Sequence, residues 1–238
     1  LPHEFAHFKV PLDESRARFV EGVEQVRLLL ENEFASHDGE FHSFENVTSL
    51  PRPSQQPRPP FWIAALATPQ SFEGAGRAGH GIMAIPMAGG MMAELIKIYR
   101  ENWRAAGHSG NGQVMLAFHM LCHADGARAA EIAREPLNRY LESLVDGASH
   151  WLSGSNSADY PGYDKIIASL DAESFETQVE KGAAWVGEPA AIIDAIKRYD
   201  EMVGGFEIAS LQVNFNTVAV EDAETSMRLF SEKVMAVL

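Results

Sequence analysis

Apolar side chains at Phe19, Val23, Val26 and Leu30 recur in steps of four, three and four and predict an amphipathic helix over residues 18–33, with Asp13 and Ser15 as candidate caps. A polar stretch follows and ends in Pro51-Arg52-Pro53 and Pro57-Arg58-Pro59-Pro60, whose proline density forbids helix and central strand. It reads as an extended surface connection, with Phe41 and Phe44 placed for a short hairpin or staple inside it. The run Phe61-Trp62-Ile63-Ala64-Ala65-Leu66-Ala67 is apolar on both faces, as in strands of helix-covered parallel sheets.

From there strand and helix patterns alternate. Thr68-Pro69 opens a short helix to Gly79, residues 82–85 form a second strand, and Gly89-Gly90 leads a helix striped by Met92, Leu95, Ile96, Tyr99 and Trp103. Residues 114–122 are a third strand, and 129–145 a long helix in which Pro136 predicts a kink. The stretch 153–180 has weak periodicity, with 166–170 good for a transient helical turn. Gly187-Glu188-Pro189 then opens a helix whose inner face is Ile192, Ile196, Tyr199 and Val203. Residues 208–215 are a fourth strand, and Met227, Phe230, Val234 and Val237 stripe a terminal helix.

No pair among these strands is joined by a loop of hairpin length, so the pattern is one of parallel βα units. The available architectures are a doubly wound sheet and a (β/α)8 barrel. No strand is followed by a Gly-rich dinucleotide fingerprint, which disfavours the first. A barrel needs eight strands in typically about 250 residues, and four are legible here. The chain also opens on Leu1-Pro2-His3-Glu4 without an initiator Met, as a processed or partial product would. The second half of a barrel is therefore expected.

Composition narrows the functional classes. The 238 residues are 46% hydrophobic and 22% charged, an ordinary globular profile. A formal net charge of −14 argues against sequence-blind binding of DNA or anionic lipid. No apolar run approaches the roughly eighteen residues of a membrane span. The single cysteine, Cys122, excludes a disulfide framework and fits a reducing compartment.

In parallel barrels ligands lie at the carboxyl ends of the strands. The junctions to watch are thus 67–71, 86–90, 123–126 and 214–217. The first places backbone amides, the Thr68 hydroxyl and the Ser71 hydroxyl at one helix N-terminus, a phosphate-binding arrangement. Ala64, Ala65 and Ala67 leave room for a flat ring beside it. The competing reading is that Thr68 merely caps the helix, with Pro69 at its first position. Gly89-Gly90 admits close backbone approach to a ligand or a plain flexible helix entry. His119 and His123, four residues apart on a strand, are separated by about 13 Å and cannot share a metal. His119 reads as a satisfied core residue or as one facing the pocket, Cys122 as a buried inert thiol or a reactive one, and His37 and His42 carry no assignment. No metal site is assigned. The stretch 153–180 reads as a lid, with Gly154 and Gly162 as hinges and Tyr160, Pro161 and Tyr163 at its tip, or as an insertion without function.

The order of these pieces resembles the bacterial luciferase-like monooxygenase family, a flavin-dependent branch of the (β/α)8 barrels. The likeness is carried by His3-Glu4-Phe5 to Phe8 with Arg16, Arg18-Phe19 and Glu21, and by Phe41-His42-Ser43-Phe44 through Leu50-Pro51-Arg52-Pro53 to Pro60-Phe61-Trp62-Ile63-Ala64. It continues through Ala67-Thr68-Pro69-Gln70-Ser71 with Ala78-Gly79, Val186-Gly187-Glu188-Pro189, and Ser226-Met227-Arg228-Leu229-Phe230 with Val234-Met235. The family's first four strands have no counterpart, and with them go its acidic-histidine segment and much of the wall around the isoalloxazine.

The resemblance implies an α/β fold, with this chain supplying about the second half of a luciferase-like (β/α)8 TIM barrel, strands five to eight and their helices. Residues 1–238 then form a single domain lacking its N-terminal part, with 153–180 a mobile lid over the flavin or a disordered insertion. It implies a cytoplasmic monooxygenase that oxygenates a small organic substrate with reduced FMN and O2, served by a flavin reductase and assembled as a homo-oligomer. Ala65, Ala67, Thr68 and Ser71 would hold the cofactor, Thr68 and Ser71 at its phosphate. No catalytic acid or base is assigned. F420-dependent hydride transfer and non-catalytic flavin binding are the alternatives it leaves open.

Overall fold

In the computed structural model, which describes residues 2–86, 89–152 and 162–238, the chain begins with a short helix, α1 (Pro2–His7), and a long one, α2 (Ser15–Glu31). Strands β1 (Ala35–Asp38) and β2 (Ser43–Val47) follow as an antiparallel pair. Their four-residue connection, 39–42, is of hairpin length, the short hairpin expected around Phe41 and Phe44. These elements belong to the first of two compact units, drawn from 1–61 and 148–164, while 62–147 and 165–238 make the second.

Polar contacts organise the first unit. The Glu21 carboxylate on α2 accepts hydrogen bonds from the amides of Glu40, Phe41 and His42 at 2.8–3.1 Å, so it caps the hairpin loop. Gln25 donates to the Glu21 carboxylate and to the His42 carbonyl. Desolvation opposes the Glu21 charge, but the His42, Phe41 and Glu40 amides and Gln25 hold its carboxyl below the usual range. At the other end of α2, Arg52 donates to the Leu29 and Leu30 carbonyls, each at 2.7 Å, satisfying last-turn acceptors that a helix leaves open. Arg58 reaches Glu31 at 3.0 Å, so the proline-rich connection is pinned to the helix it follows. Two expectations fail here. The N-cap of α2 is Glu14, whose side chain pairs with Arg18 and makes no capping bond, in place of Asp13 or Ser15. Its apolar stripe is not buried either, since Phe19 and Val26 are about half exposed.

The second unit is a parallel sheet. Its strands are β3 (Trp62–Ala64), β4 (Gly81–Ala84), β5 (Val114–Cys122), β6 (Ala184–Gly187) and β7 (Ile208–Gln212). Helix α3 (Pro69–Ala78) follows β3, α4 (Gly89–Ala105) follows β4 and α5 (Gly126–Leu152) follows β5. Helices α6 (Tyr163–Asp171) and α7 (Phe175–Glu180) precede β6, α8 (Pro189–Val203) follows it, and α9 (Val220–Phe230) follows β7. Helix α5 runs on through Pro136 without a break. Strand β3 is shorter than the 61–67 run suggested, and β6 was not expected.

Strand β5 is the hub. The Ile82 amide donates to the Gln113 carbonyl and the His123 amide to the Gly187 carbonyl, both on odd-numbered residues, whereas Glu207 donates to Val114. Alternate residues of a strand turn their backbone groups to opposite edges. So β4 and β6 take successive stretches of one edge of β5, at 114–116 and 119–122, and β7 takes the other. Where β7 ends, the Ser226 hydroxyl of α9 stands in for a strand: it accepts the Cys122 amide at 2.7 Å and donates to Met120 Sδ at 3.3 Å. Near the start of the strand, Glu207 accepts the Val114 amide at 2.7 Å and is held by Arg100 at 3.0 Å.

The two faces of the sheet differ. Ile63, Ile82 and Val114 share a register, and with Leu116, Phe118 and Met120 they are covered by Phe72 and Ala75 of α3, Met92, Ile96 and Tyr99 of α4, and Ile192 and Tyr199 of α8. Phe118 stacks on Trp185 with centroids 4.0 Å apart. Gly76 permits the close crossing of α3 on α4, because a Cβ there would collide with the Tyr99 carbonyl. On the opposite face Ala64, Met83, Met115 and Ile208 share a register. There Ala64 is exposed and Met83 is 37% exposed. Among the described residues no strand pairs with the outer edge of β3 or of β7.

Of the stretch 153–180, residues 153–161, with Gly154, Tyr160 and Pro161, lie outside the described residues. The described remainder holds α6 and α7, and α7 opens on a reciprocal capping box between Ser174 and Thr177.

Ser226→Ala is expected to lower unfolding free energy by about 1–3 kcal/mol in denaturant titration, because the buried Cys122 amide loses its acceptor. Glu21→Ala is expected to speed amide exchange at Glu40, Phe41 and His42 while leaving the parallel sheet protected; unchanged exchange would remove Glu21 as the organiser of the hairpin.

Candidate functional site

Helix entries at the carboxyl ends of the strands differ in charge. At α5 the Asp125 carboxylate accepts the Ala127 and Arg128 amides at 2.9 and 3.2 Å, so an acid already fills that entry. Helix α8 starts after Glu188, and α9 carries Glu221 and Asp222 in its first turn. Helix α3 has no acid in its first turn. Thr68, its N-cap, is buried, and its hydroxyl makes no capping bond to the first-turn amides. Thr68 thus takes the N-cap position with Pro69 first in the helix, as the simple-cap reading has it, but without the side-chain bond of a cap. Pro69 lacks an N–H, the Ser71 amide turns back to the Thr68 carbonyl at 2.9 Å, and helix geometry gives the Gln70 amide no intrahelical acceptor. Such a helix entry is suited to an anion.

The other expected residues are placed differently. Ser71 is half-buried at the third position of α3. Ala67 is buried in the helix-side core and Ala65 packs against that core, its amide bonded to the Met83 carbonyl at 2.9 Å. Of the 86–90 junction, Pro86 is buried, residues 87–88 lie outside the described residues, and Gly90 is exposed at the start of α4. At 214–217, Asn216 takes a positive φ of 50°. The His123 ring accepts the Asp125 amide at 3.0 Å and so belongs to the α5 entry. His37 lies against Phe44 in the hairpin, and the His42 backbone is taken up by Glu21 and Gln25. Cys122 is fully buried, and desolvation pushes its thiol up to about 11, which makes it inert.

A cavity of about 80 Å³ opens on the uncovered face of β5. Ala117 and His119 form its floor, with Ile85 and Pro86 beyond β4, Tyr140 and Leu144 of α5, and Leu170 of α6 among its walls. Ligand pockets usually exceed about 300 Å³, so this is a subsite and not a berth for a whole flavin. His119 is 6% exposed, and its Nε2 has no hydrogen-bond partner. Tyr140 and Phe215 meet its ring edge-on, with centroids at 4.4 and 5.0 Å. Burial lowers its pKa to about 4, so the imidazole is neutral at pH 7. A satisfied core histidine this is not. Glu173 also lines the cavity. Desolvation disfavours its charge, but Lys181, Thr177 and Gln178 bond to it at 2.5–3.0 Å and hold it below the ordinary carboxylate range.

The walls from α5, α6 and α7 escaped sequence reasoning. Tyr140 and Leu144 lie on a helix that was legible, but nothing in one sequence aims them at His119. The Ser174 box closes with Thr177 where the usual partner is Glu or Gln, so its signal was weak.

The sequence profile of the luciferase-like monooxygenases matches residues 1–204. The oxygenase component of a flavin-dependent trigonelline monooxygenase from Acinetobacter baylyi is 25% identical over 224 residues, 92% of this chain and 59% of the relative. The crystal structure of the monooxygenase RslO1 from Streptomyces bottropensis superposes with a TM-score of 0.77 at 31% identity, covering 100% of this chain and 66% of that one. The oxygenating constituent of 3,6-diketocamphane monooxygenase from Pseudomonas putida, solved with FMN, shares the fold at a TM-score of 0.67 and 16% identity, covering 90% of this chain and 61% of its own. F420-dependent enzymes share the fold as well. The chain thus spans about three fifths of the length of the curated relative it matches.

His119 supplies a pH test. Its folded pKa of about 4 lies below the ordinary histidine value, which is about 6.5 in the unfolded chain. Its contribution to stability is therefore complete above pH 6.5 and lost as pH falls toward 4, by roughly 3 kcal/mol in all. Histidine NMR is expected to show His119 neutral through pH 5; a midpoint near 6.5 would show the ring to be solvated.

Proposed function

We propose, from the premise that this chain belongs to the luciferase-like monooxygenase family, that it forms the phosphate-holding side of a flavin-dependent monooxygenase acting on a small organic substrate with reduced FMN and O2. The observation that carries the reading is the entry of α3: a buried Thr68 at the N-cap, Pro69 first in the helix, no acid in the first turn, and a position at the carboxyl end of a parallel strand. These residues fit the phosphate of a flavin mononucleotide. Thr68 and Ser71 would bind it by their hydroxyls and Gln70 by its amide, with the helix dipole favouring the charge. Ala65 and Ala67 would support this turn from beneath.

Bound reduced flavin would supply electrons and oxygen chemistry that no side chain here provides. The chain's own part is to orient the phosphate end, to wall the reaction off from water with the apolar residues around Ala117 and Leu144, and to present the neutral His119 imidazole. The bare sheet face and the open outer edges of β3 and β7 support a second element of the reading: this sheet is about half of a (β/α)8 barrel, completed by polypeptide outside these residues. A reductase delivering reduced FMN, and a homo-oligomeric assembly, belong to the same proposal.

Anaerobic titration of the full-length protein tests it. Reduced FMN is expected to bind more tightly than reduced riboflavin, which lacks the phosphate. Thr68→Val and Ser71→Ala should each weaken FMN by about tenfold, the loss of one hydrogen bond to a charged group, and leave riboflavin unchanged. Oxygen uptake should follow admission of air. Equal binding of the two flavins would remove the phosphate site, reduction of F420 by substrate would replace oxygenation with hydride transfer, and tight flavin without turnover would make the protein a flavin carrier.

A further inference from the structure

We propose that the cavity beside His119 receives the neutral oxygen of a small carbonyl or hydroxyl compound, with His119 Nε2 as its hydrogen-bond partner. Calling that compound the substrate rests on the monooxygenase reading; the binding itself rests on the cavity.

A buried imidazole nitrogen without a partner costs about 1–3 kcal/mol, and native proteins seldom leave one without a reason. Here the nitrogen belongs to a residue that lines a cavity. Tyr140 and Phe215, packed edge-on, leave the ring little freedom to turn toward another acceptor. A neutral imidazole donates from one tautomer and accepts from the other, so it serves a carbonyl or a hydroxyl equally.

Charge decides against the ionic classes. Among the described residues no lysine or arginine lines the cavity. Its carboxylate, Glu173, is already matched by Lys181, Thr177 and Gln178. A carboxylate ligand would sit there without a counter-charge, and an ammonium would have to displace Lys181, so either bears a large desolvation cost. Size sets the limit on the group itself. About 80 Å³ is near half of the roughly 150 Å³ that holds a benzene, which suits a short alkyl group bearing one oxygen. A larger molecule would place that end inside and leave the rest beyond the rim.

The test uses 2-butanone and 2-butanol against propionate, an anion of similar size, titrated into full-length protein labelled with ¹⁵N-histidine. The His119 resonance is identified by its loss in His119→Phe. The expected result is a saturable shift of the His119 ring nitrogen with the ketone and the alcohol, and none with propionate at equal concentration. His119→Gln, which keeps a neutral donor and acceptor, should bind within about threefold of the unsubstituted protein, and His119→Phe at least about tenfold more weakly. A His119 nitrogen that is unmoved by both neutral probes, or that responds equally to propionate, overturns the proposal without need of any variant. FMN titration of the same sample keeps the two readings apart. Flavin binding without a ketone response sinks this inference alone, and a ketone response without flavin binding sinks the monooxygenase and leaves the site.

Discussion

A strand that is apolar on both faces must be covered on both faces and paired on both edges, and β5 imposes this demand on most of the second unit. Three other strands are registered on it, two in succession along one edge. The edge that outlasts β7 is completed by a single serine hydroxyl from α9, so the terminal helix is tied to the sheet by backbone chemistry as well as by packing. Its even-numbered side chains define the helix-side core, where Phe118, Trp185 and Tyr199 pack ring against ring. The odd-numbered side chains face a surface that is only partly covered, and the candidate site grows from that imbalance.

Leu121 and His119 show the transition within one strand. Leu121 is sealed by Ala133, Leu137 and Phe175 in a second apolar cluster. Two residues earlier the residue is a histidine, with Tyr140 packed edge-on against its ring and a void left beside it that Leu144 helps to wall. Further back, at Met115 and Met83, the face is open. Enclosure therefore increases along the strand toward its carboxyl end, the end of the sheet at which α3 also begins. A polar ligand group near His119 and an anion at Thr68 would both be met at the end of the sheet where parallel folds place their chemistry.

Much of this was legible because it follows from periodicity. The long run 114–122 and the stripes of α4 and α8 came out as the sequence pattern required, since burial on one face leaves a spacing that can be read. What escaped was short or tertiary. Strand β6 has four residues, which is below what alternation can announce, and its place depends on an edge left vacant by the end of β4. Helix α2 illustrates the reverse error: its stripe is real, but Phe19 and Val26 remain exposed, and the helix is positioned by Glu21, Gln25 and Arg52. At the site, Thr68 was visible as a helix-entry residue, whereas the missing partner of His119 could emerge only once the rings of Tyr140 and Phe215 were in place.

The sulfur atoms of the second unit divide by environment. The Cys122 thiol is held protonated and out of solvent by the same packing that completes β5, and a thiol in that state reacts slowly with peroxide. Met91, Met202, Met227 and Met235 are exposed and have no such shield, and Met83 on the open face of the sheet is close behind them. Oxidative wear on this molecule would therefore register first as sulfoxide on its outward-facing helices, at Met235 ahead of any sulfur in the sheet, long before damage reached the thiol that closes its longest strand.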